Sequence, residues 1–277
     1  MISATAEHLL GQAMAGLQGE VKVPKGTALK CGVDLGTASI ILVVLDQDDA
    51  VVATAMEPCQ VAKDGLVVDY MGAIDITRRL KRQLERRTGR ELTAAAIAVP
   101  PGTGTANSNT HRHVVEGAGL EVTAVLDEPT AANLVLGITD GAVVDIGGGT
   151  TGLSVFKDGQ VVYVADEPTG GTHMALVLMG RYGLTFEQAE AMKLDPAQAD
   201  EVRAAVLPVS QKMATIVEHH LAGQAAVEEV WLVGGAAGLK GIEDVFADQL
   251  GLAAFKPPHP MMVTPVGIAM SCEARKD

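Results

Sequence analysis

The sequence predicts an α/β protein of two lobes with the same order of elements, and three observations carry that prediction. A three-strand meander opens near Lys30, and a second opens near Ala142. Each is followed by segments that alternate between helical periodicity and short apolar runs. Both meanders begin alike, with an Asp at a strand end, a Gly-containing turn and then hydroxyl residues. A chain of 277 residues also has the length for about two domains. Shared order with little shared sequence reads as an internal duplication of architecture, with a ligand cleft expected between the lobes.

Residues 1–29 read as a separate amphipathic N-terminal extension and linker. Ile2, Ala6, Leu9, Leu10, Ala13, Met14 and Leu17 recur at helical spacing, and Gly16, Gly19, Pro24 and Gly26 then break the pattern. Such a helix either packs on its own body or docks on a partner as a targeting helix, and both readings stay open. The first lobe is expected over 30–138 plus 262–277. Its strands are predicted at 30–34, 40–46 and 51–56, and a predicted helix at 72–88 buries Ile76, Leu80 and Leu84. The run 93–99 is small and continuously apolar, as in strands covered on both faces. A helix at 105–118, a strand at 121–126 and a helix at 130–136 are expected next. The second lobe is expected over 139–261. Its strands are predicted at 142–145, 151–156 and 160–164, and its helices at 172–182, 186–193 and 196–221. A strand at 229–233, a helix at 239–250 and a strand at 252–255 follow, and a last helix at 264–273 returns to the first lobe.

Composition excludes several classes. Hydrophobic residues make up 48% and charged residues 20%, which rules out a disordered chain. The formal net charge of −13 repels phosphate backbones, and aromatic residues at 3% cannot build a base-stacking platform. No nucleic-acid partner is expected. Cys31, Cys59 and Cys272 match no disulfide framework or zinc spacing and read as thiols in a reducing cytoplasm. No apolar run reaches the roughly 20 residues of a membrane span, and no secretory signal pattern opens the chain. His111 and His113 diverge around a helix, as do His219 and His220, so neither pair is expected to share a metal. Arg78, Arg79, Lys81, Arg82, Arg86, Arg87 and Arg90 form a basic cluster. It reads either as the solvated face of an amphipathic helix or as a docking face for an acidic partner.

The chemistry concentrates in the two turns. The first reads Asp34-Leu35-Gly36-Thr37-Ala38-Ser39, and the second reads Asp145-Ile146-Gly147-Gly148-Gly149-Thr150-Thr151. Glycine lets backbone N–H groups converge on phosphate oxygens. Two acidic residues on opposing hairpins can hold a hydrated Mg²⁺. One Asp-Gly turn is often only a hairpin, whereas two, each opening a meander, point to a phosphate site.

This pair resembles the two phosphate loops of the actin, sugar-kinase and heat-shock ATPase superfamily. Asp127-Glu128-Pro129-Thr130-Ala131-Ala132-Asn133 resembles the first interdomain connector of DnaK-type chaperones. Leu232-Val233-Gly234-Gly235-Ala236-Ala237-Gly238 resembles the adenosine loop. Pro265-Val266-Gly267-Ile268-Ala269 resembles the second connector, where Gly267 would let helices cross closely. Ala189-Glu190-Ala191-Met192-Lys193 is similar to the ribose-contacting segment, although Glu190 and Lys193 alone read as a surface salt bridge. The stretch from Lys63 through Asp64 to Tyr70 is similar to one in MreB. The resemblance covers about residues 30–275. It implies an α/β, actin-like ATPase fold with two RNase H-like lobes flanking a nucleotide cleft.

The resemblance also implies roles. Asp34 and Asp145 would orient the waters of Mg²⁺, and Gly36, Thr37, Gly147, Gly148, Gly149 and Thr150 would contact the phosphates of ATP or ADP. Glu128 would position the attacking water. Gly234, Gly235 and Gly238 would line the adenosine side, and Glu190 and Lys193 would close over ribose and base. Within the superfamily the chain is similar to the small chaperone-like proteins of ethanolamine-utilisation systems. That similarity implies a nucleotide-dependent chaperone or reactivation factor in the cytoplasm. Its protein client would be an ethanolamine-catabolic enzyme or a component of a bacterial microcompartment. Two departures weaken the ATPase. Position 152 is Gly where the DnaK and MreB patterns place an acid, and no lysine matches the one DnaK-type ATPases point at the γ-phosphate. Losing one charge-stabilising group of this kind costs roughly 10²–10³ in rate, so slow hydrolysis is expected. The stretch between Val164 and Trp231 is short for the superfamily, which implies a small subdomain over the nucleotide. Three other readings remain on the same fold. They are a nucleotide-dependent assembly protein like MreB or FtsA, a degenerate nucleotide-sensing scaffold, and a small-molecule kinase with Asp145 as general base.

Overall fold

The computed structural model describes residues 2–19, 21, 23–63, 65–224 and 227–276, so Asp64 of the MreB-like stretch lies outside the described residues. Contacts divide the chain into two units, Met1–Gly137 with Met262–Asp277, and Ile138–Met261.

In the first unit the order is α1 (Ala4–Ala15), β1 (Leu29–Leu35), β2 (Ser39–Asp46), β3 (Val51–Pro58), β4 (Ala62–Lys63), β5 (Leu66–Val67) and α2 (Tyr70–Thr88). Then come β6 (Ala94–Val99), α3 (Thr105–Gly117), β7 (Glu121–Asp127) and α4 (Glu128–Leu136). The sheet runs β3-β2-β1-β6-β7, with antiparallel β1–β2 and β2–β3 and parallel β1–β6 and β6–β7. β4 and β5 pair as a small separate hairpin. α2 starts on the Asp69 carboxylate, which accepts the Gly72 N–H at 2.9 Å, and ends on the left-handed Gly89. Its Ile76, Leu80 and Leu84 are buried in the core, and β6 is buried at every position.

The apolar stripe of α1 is used inside this unit. Ala6, Leu10 and Ala13 are buried, and the helix packs on β3 and on the last helix of the chain, at Val263–Met270. The linker after α1 is fastened by two members of the basic cluster. Arg87 donates to the carbonyls of Gly16 and Gly19 at 2.8 Å, of Gln18 at 3.0 Å and of Thr54 at 2.8 Å. Arg90 donates to those of Pro24 at 3.2 Å and Thr27 at 3.0 Å. These two guanidiniums satisfy chain carbonyls, and Arg79 pairs with Glu57.

The second unit repeats the plan. Its elements are β8 (Gly141–Ile146), β9 (Thr151–Lys157), β10 (Gln160–Glu167), α5 (Gly171–Tyr182), α6 (Phe186–Leu194) and α7 (Ala199–Leu221). β11 (Glu229–Val233), α8 (Ile242–Leu250) and β12 (Ala253–Phe255) complete it, and α9 (Val263–Met270) returns to the first unit. The strand order β10-β9-β8-β11-β12 matches that of the first sheet, position for position. Two predicted helices start differently. Pro196–Gln198 forms a 3₁₀ turn before α7, and the helix expected at 239–250 starts at Ile242 as α8, after a separate 3₁₀ turn at Ala236–Gly238. β10 runs three residues past the predicted end at Val164, because its pairing with β9 continues to Glu167.

α9 crosses α4 at Gly267. A Cβ there would overlap the Ala131 carbonyl, so only glycine allows the two backbones this approach.

Candidate functional site

Parallel pairing decides where the motif residues fall. In the first unit β1, β6 and β7 run parallel, so their C-terminal ends lie at one end of the sheet. Asp34 is the penultimate residue of β1, and Gly36 and Thr37 form the turn into β2. Glu128 opens α4 straight after β7, at that same end. The Asp127 carboxylate caps α4 by accepting the Thr130 N–H at 2.9 Å, which aligns the first turn that carries Glu128. Carboxyl ends of parallel strands are where α/β sheets place ligands.

In the second unit β8, β11 and β12 run parallel. Asp145 on β8 stands opposite Val233 on β11, so it shares its end of the sheet with Gly234. Asp145 is buried. The turn that follows is held by α5. The N–H of Gly171 donates to the Gly147 carbonyl at 2.9 Å, and that of Thr172 donates to the Gly148 carbonyl at 2.8 Å. These are otherwise orphan donors of a helix N-terminus. In a trans peptide the N–H points opposite to the C=O. With both carbonyls turned toward α5, the N–H groups of Gly148 and Gly149 point the other way. Among the described residues they meet no acceptor. Two aligned N–H groups of this kind form a small anion-binding concavity.

Glu190 and Lys193 sit on α6. Lys193 Nζ contacts Glu190 Oε1 at 2.7 Å and donates to the Gly171 carbonyl at 3.0 Å. The pair is therefore more than a surface salt bridge, because it braces the start of α5. Gly234 is followed by the 3₁₀ turn at Ala236–Gly238, and its N–H donates to the Pro260 carbonyl at 3.0 Å. The Ala236 side chain lies near Gly171, which brings the 234–238 segment against the α5 N-terminus. Within the second unit the structure thus gathers Asp145, Gly147, Gly148, Gly149, Thr150, Glu190, Lys193, Gly234 and Gly235 around one helix start.

The sequence did not point to Asp166. It lies at the end of β10, half-buried, and the Thr150 hydroxyl bonds to its carboxylate. Burial pushes this carboxyl up to about 6, and the charges of Glu167 and Asp145 add to the rise. The apolar alternation of the strand expected at 160–164 stops short of it. His111 is buried on α3 with Nδ1 3.0 Å from the Asn107 carbonyl, and burial lowers its pKa. No group of three or more His, Cys, Asp or Glu side chains able to hold a metal occurs among the described residues. A carboxylate or two with phosphates and waters is nevertheless how Mg²⁺ is commonly held, and Asp145 beside the glycine turn fits that mode. Two hollows are lined by other side chains. One, of about 260 Å³, is lined by Cys31, Leu92 and Arg275; the other, of about 460 Å³, by Tyr182, Met192 and Glu201. The first touches no motif residue, and the second takes in Ala191 and Met192 of the Ala189–Lys193 segment but none of the candidate site residues.

Comparison with known proteins gives the class first. A family model described as Hsp70 protein matches residues 71–195, and one described as type IV pilus assembly protein PilM matches residues 138–257. The solved structure of MreB5 of Spiroplasma citri bound to ADP matches with a TM-score of 0.68 at 18% identity, over 87% of this chain and 95% of that one. Together with the duplicated sheets, this defines the fold as that of the actin-like ATPases. The ethanolamine utilization protein EutJ of Escherichia coli (strain K12) is 41% identical over 94% of this chain and 92% of its own length. The crystal structure of ethanolamine utilization protein EutJ from Carboxydothermus hydrogenoformans matches with a TM-score of 0.90 at 48% identity, over 96% of this chain and 98% of that one. The chain belongs to the EutJ family.

Proposed function

We propose that this protein binds ATP with Mg²⁺ and acts as a nucleotide-dependent chaperone or reactivation factor for an enzyme of ethanolamine utilisation. The repeat carries the nucleotide part. Each unit carries an Asp as the penultimate residue of a parallel strand and turns into the next strand through glycine and a threonine. The names of the relatives support the ethanolamine setting, and the heat-shock match supports the chaperone class.

In this reading Asp34 and Asp145 accept hydrogen bonds from metal-bound water. The N–H groups of Gly148 and Gly149 donate to phosphate oxygens, with Gly36, Thr37, Gly147 and Thr150 completing the contacts. Glu128 holds the attacking water from the first turn of α4. Gly234, Gly235 and Gly238 leave room for adenosine, and Glu190 with Lys193 contacts the ribose while bracing α5. Bound Mg²⁺ supplies charge neutralisation at the β- and γ-phosphates. The residues contribute positioning and charge stabilisation. With Gly at 152 hydrolysis is slow, and occupancy of the site acts on the client more than rapid turnover does. The client is a protein, and the place of action is the cytoplasm or a bacterial microcompartment. No helix among the described residues is long and apolar enough to cross a membrane.

Calorimetry with ATP and Mg²⁺ tests the reading, beside a variant carrying Asp34→Ala and Asp145→Ala. Micromolar binding that this variant loses supports it. No binding at millimolar ATP overturns it. The chaperone part is read from recovery of activity in inactivated ethanolamine-catabolic enzymes, which must depend on both the protein and ATP.

A further inference from the structure

The sheet of the second unit places three positions in one row across its strands. Asp145 on β8 stands opposite Gly152 on β9, and Gly152 stands opposite Asp166 on β10. Directly opposed residues project to the same face of a sheet. The next row, Val144, Leu153 and Ala165, packs into the apolar core, so the Asp145 row faces the other side. Glu167 alternates back to the core side, where its Oε1 is 3.0 Å from His220 Nε2. Asp166 is thus left on the face of Asp145. Two strand spacings separate the backbones of the two acids by about 10 Å, and glycine leaves no side chain between them. Thr150, in the glycine turn itself, bonds to the Asp166 carboxylate. The buried Oδ1 of Asp166 has no partner in the protein. Leaving such an oxygen unpaired is unfavourable unless a ligand or water uses it.

Resting on the nucleotide reading above, we propose that Asp166 supplies, from the neighbouring strand, the carboxylate this chain lacks at position 152, and holds a water of nucleotide-bound Mg²⁺. Gly152 is then half of an exchange. The acid moves one strand outward, and the position it leaves stays small so that three carboxylates do not crowd one row. The extension of β10 past Val164 is what carries Asp166 into register.

The test is calorimetry of ATP with and without Mg²⁺ on four proteins. They are the wild type, Asp166→Asn, Asp166→Ser, and Asp166→Asn combined with Gly152→Asp. Thermal melting without nucleotide checks that each folds. Outer-shell partners of a metal are typically worth 10–100-fold in its affinity. The gain in ATP affinity that Mg²⁺ gives the wild type should fall about tenfold or more in both single variants. Affinity without Mg²⁺ should hold, and the combined variant should recover the gain. A purely structural role would move the melting temperature and leave the Mg²⁺ gain alone. An undiminished gain in Asp166→Asn or Asp166→Ser, with loss in the Asp34→Ala, Asp145→Ala protein, overturns this proposal and leaves the nucleotide reading standing. A wild type that binds no ATP overturns both.

Discussion

Gly234 follows β11 and lies against Asp145 in the second unit, and replacing it with alanine should cost stability in a calculable way. Its φ is +88°, a backbone region that costs an L-residue roughly 1–2 kcal/mol. A Cβ there would overlap the Asp145 carboxylate and stand 2.6 Å from the Ile146 carbonyl oxygen. Overpacking of this kind costs about 1–3 kcal/mol when the neighbour is backbone and cannot swing away. The two contributions sum to about 2–5 kcal/mol. That compares with about 5–15 kcal/mol for a whole domain. The melting temperature should drop on the order of 10 °C. Gly238, four residues on, has no heavy atom within 4 Å of its added Cβ and lies outside the left-handed region. Gly238→Ala should therefore change stability by no more than about 0.5 kcal/mol. The assay is thermal unfolding by circular dichroism of both variants without nucleotide. Equal melting of Gly234→Ala and wild type would refute the reasoning, and so would a Gly238→Ala protein that melts as low as Gly234→Ala.

Two further perturbations probe the first unit. Arg87→Ala removes the donor that four carbonyls share, and it should cost about 1–3 kcal/mol, the charge-assisted bonds being partly solvent-screened. Limited proteolysis should then cut near residues 16–19 faster than in wild type, and equal cutting rates would mean the linker is held by something else. His111 has a lowered pKa in the folded state, chiefly through burial. Above its unfolded pKa of about 6.5 it is neutral in both states and contributes no pH dependence. As pH falls through that value the unfolded chain takes up a proton that the folded protein resists, so stability declines. Urea unfolding at pH 7 and pH 5 should show a loss in wild type that His111→Gln reduces.

Features written along the chain were readable from it. The four-residue spacing of Ile76, Leu80 and Leu84 gives the buried stripe of α2, because a helix repeats its faces at that step. The unbroken apolar run of β6 corresponds to burial at every position. The glycine turns stand at the ends of β1 and β8, and at Gly36 a Cβ would press on the Ser39 carbonyl. Features written across the chain were not readable. Arg87 reaches carbonyls 33 to 71 positions away, so as sequence it is one more charge on a helix face. Nothing local distinguishes a guanidinium that fastens a distant loop from one that faces water.

Gly152 shows how far this difference matters for function. Along the chain it is a deletion of an acid from a motif, and the inference from that is a weakened site. Across the sheet it is the middle of a row with Asp145 on one side and Asp166 on the other. Strand register fixes that row, and register is set by the apolar pattern and the turns of the whole meander rather than by the motif alone. β10 ends at Glu167 because its ladder with β9 persists through a polar stretch in which the apolar alternation has stopped. A carboxylate missing from a motif is therefore to be sought one strand over, at the position in register with the gap, before the site is judged incomplete.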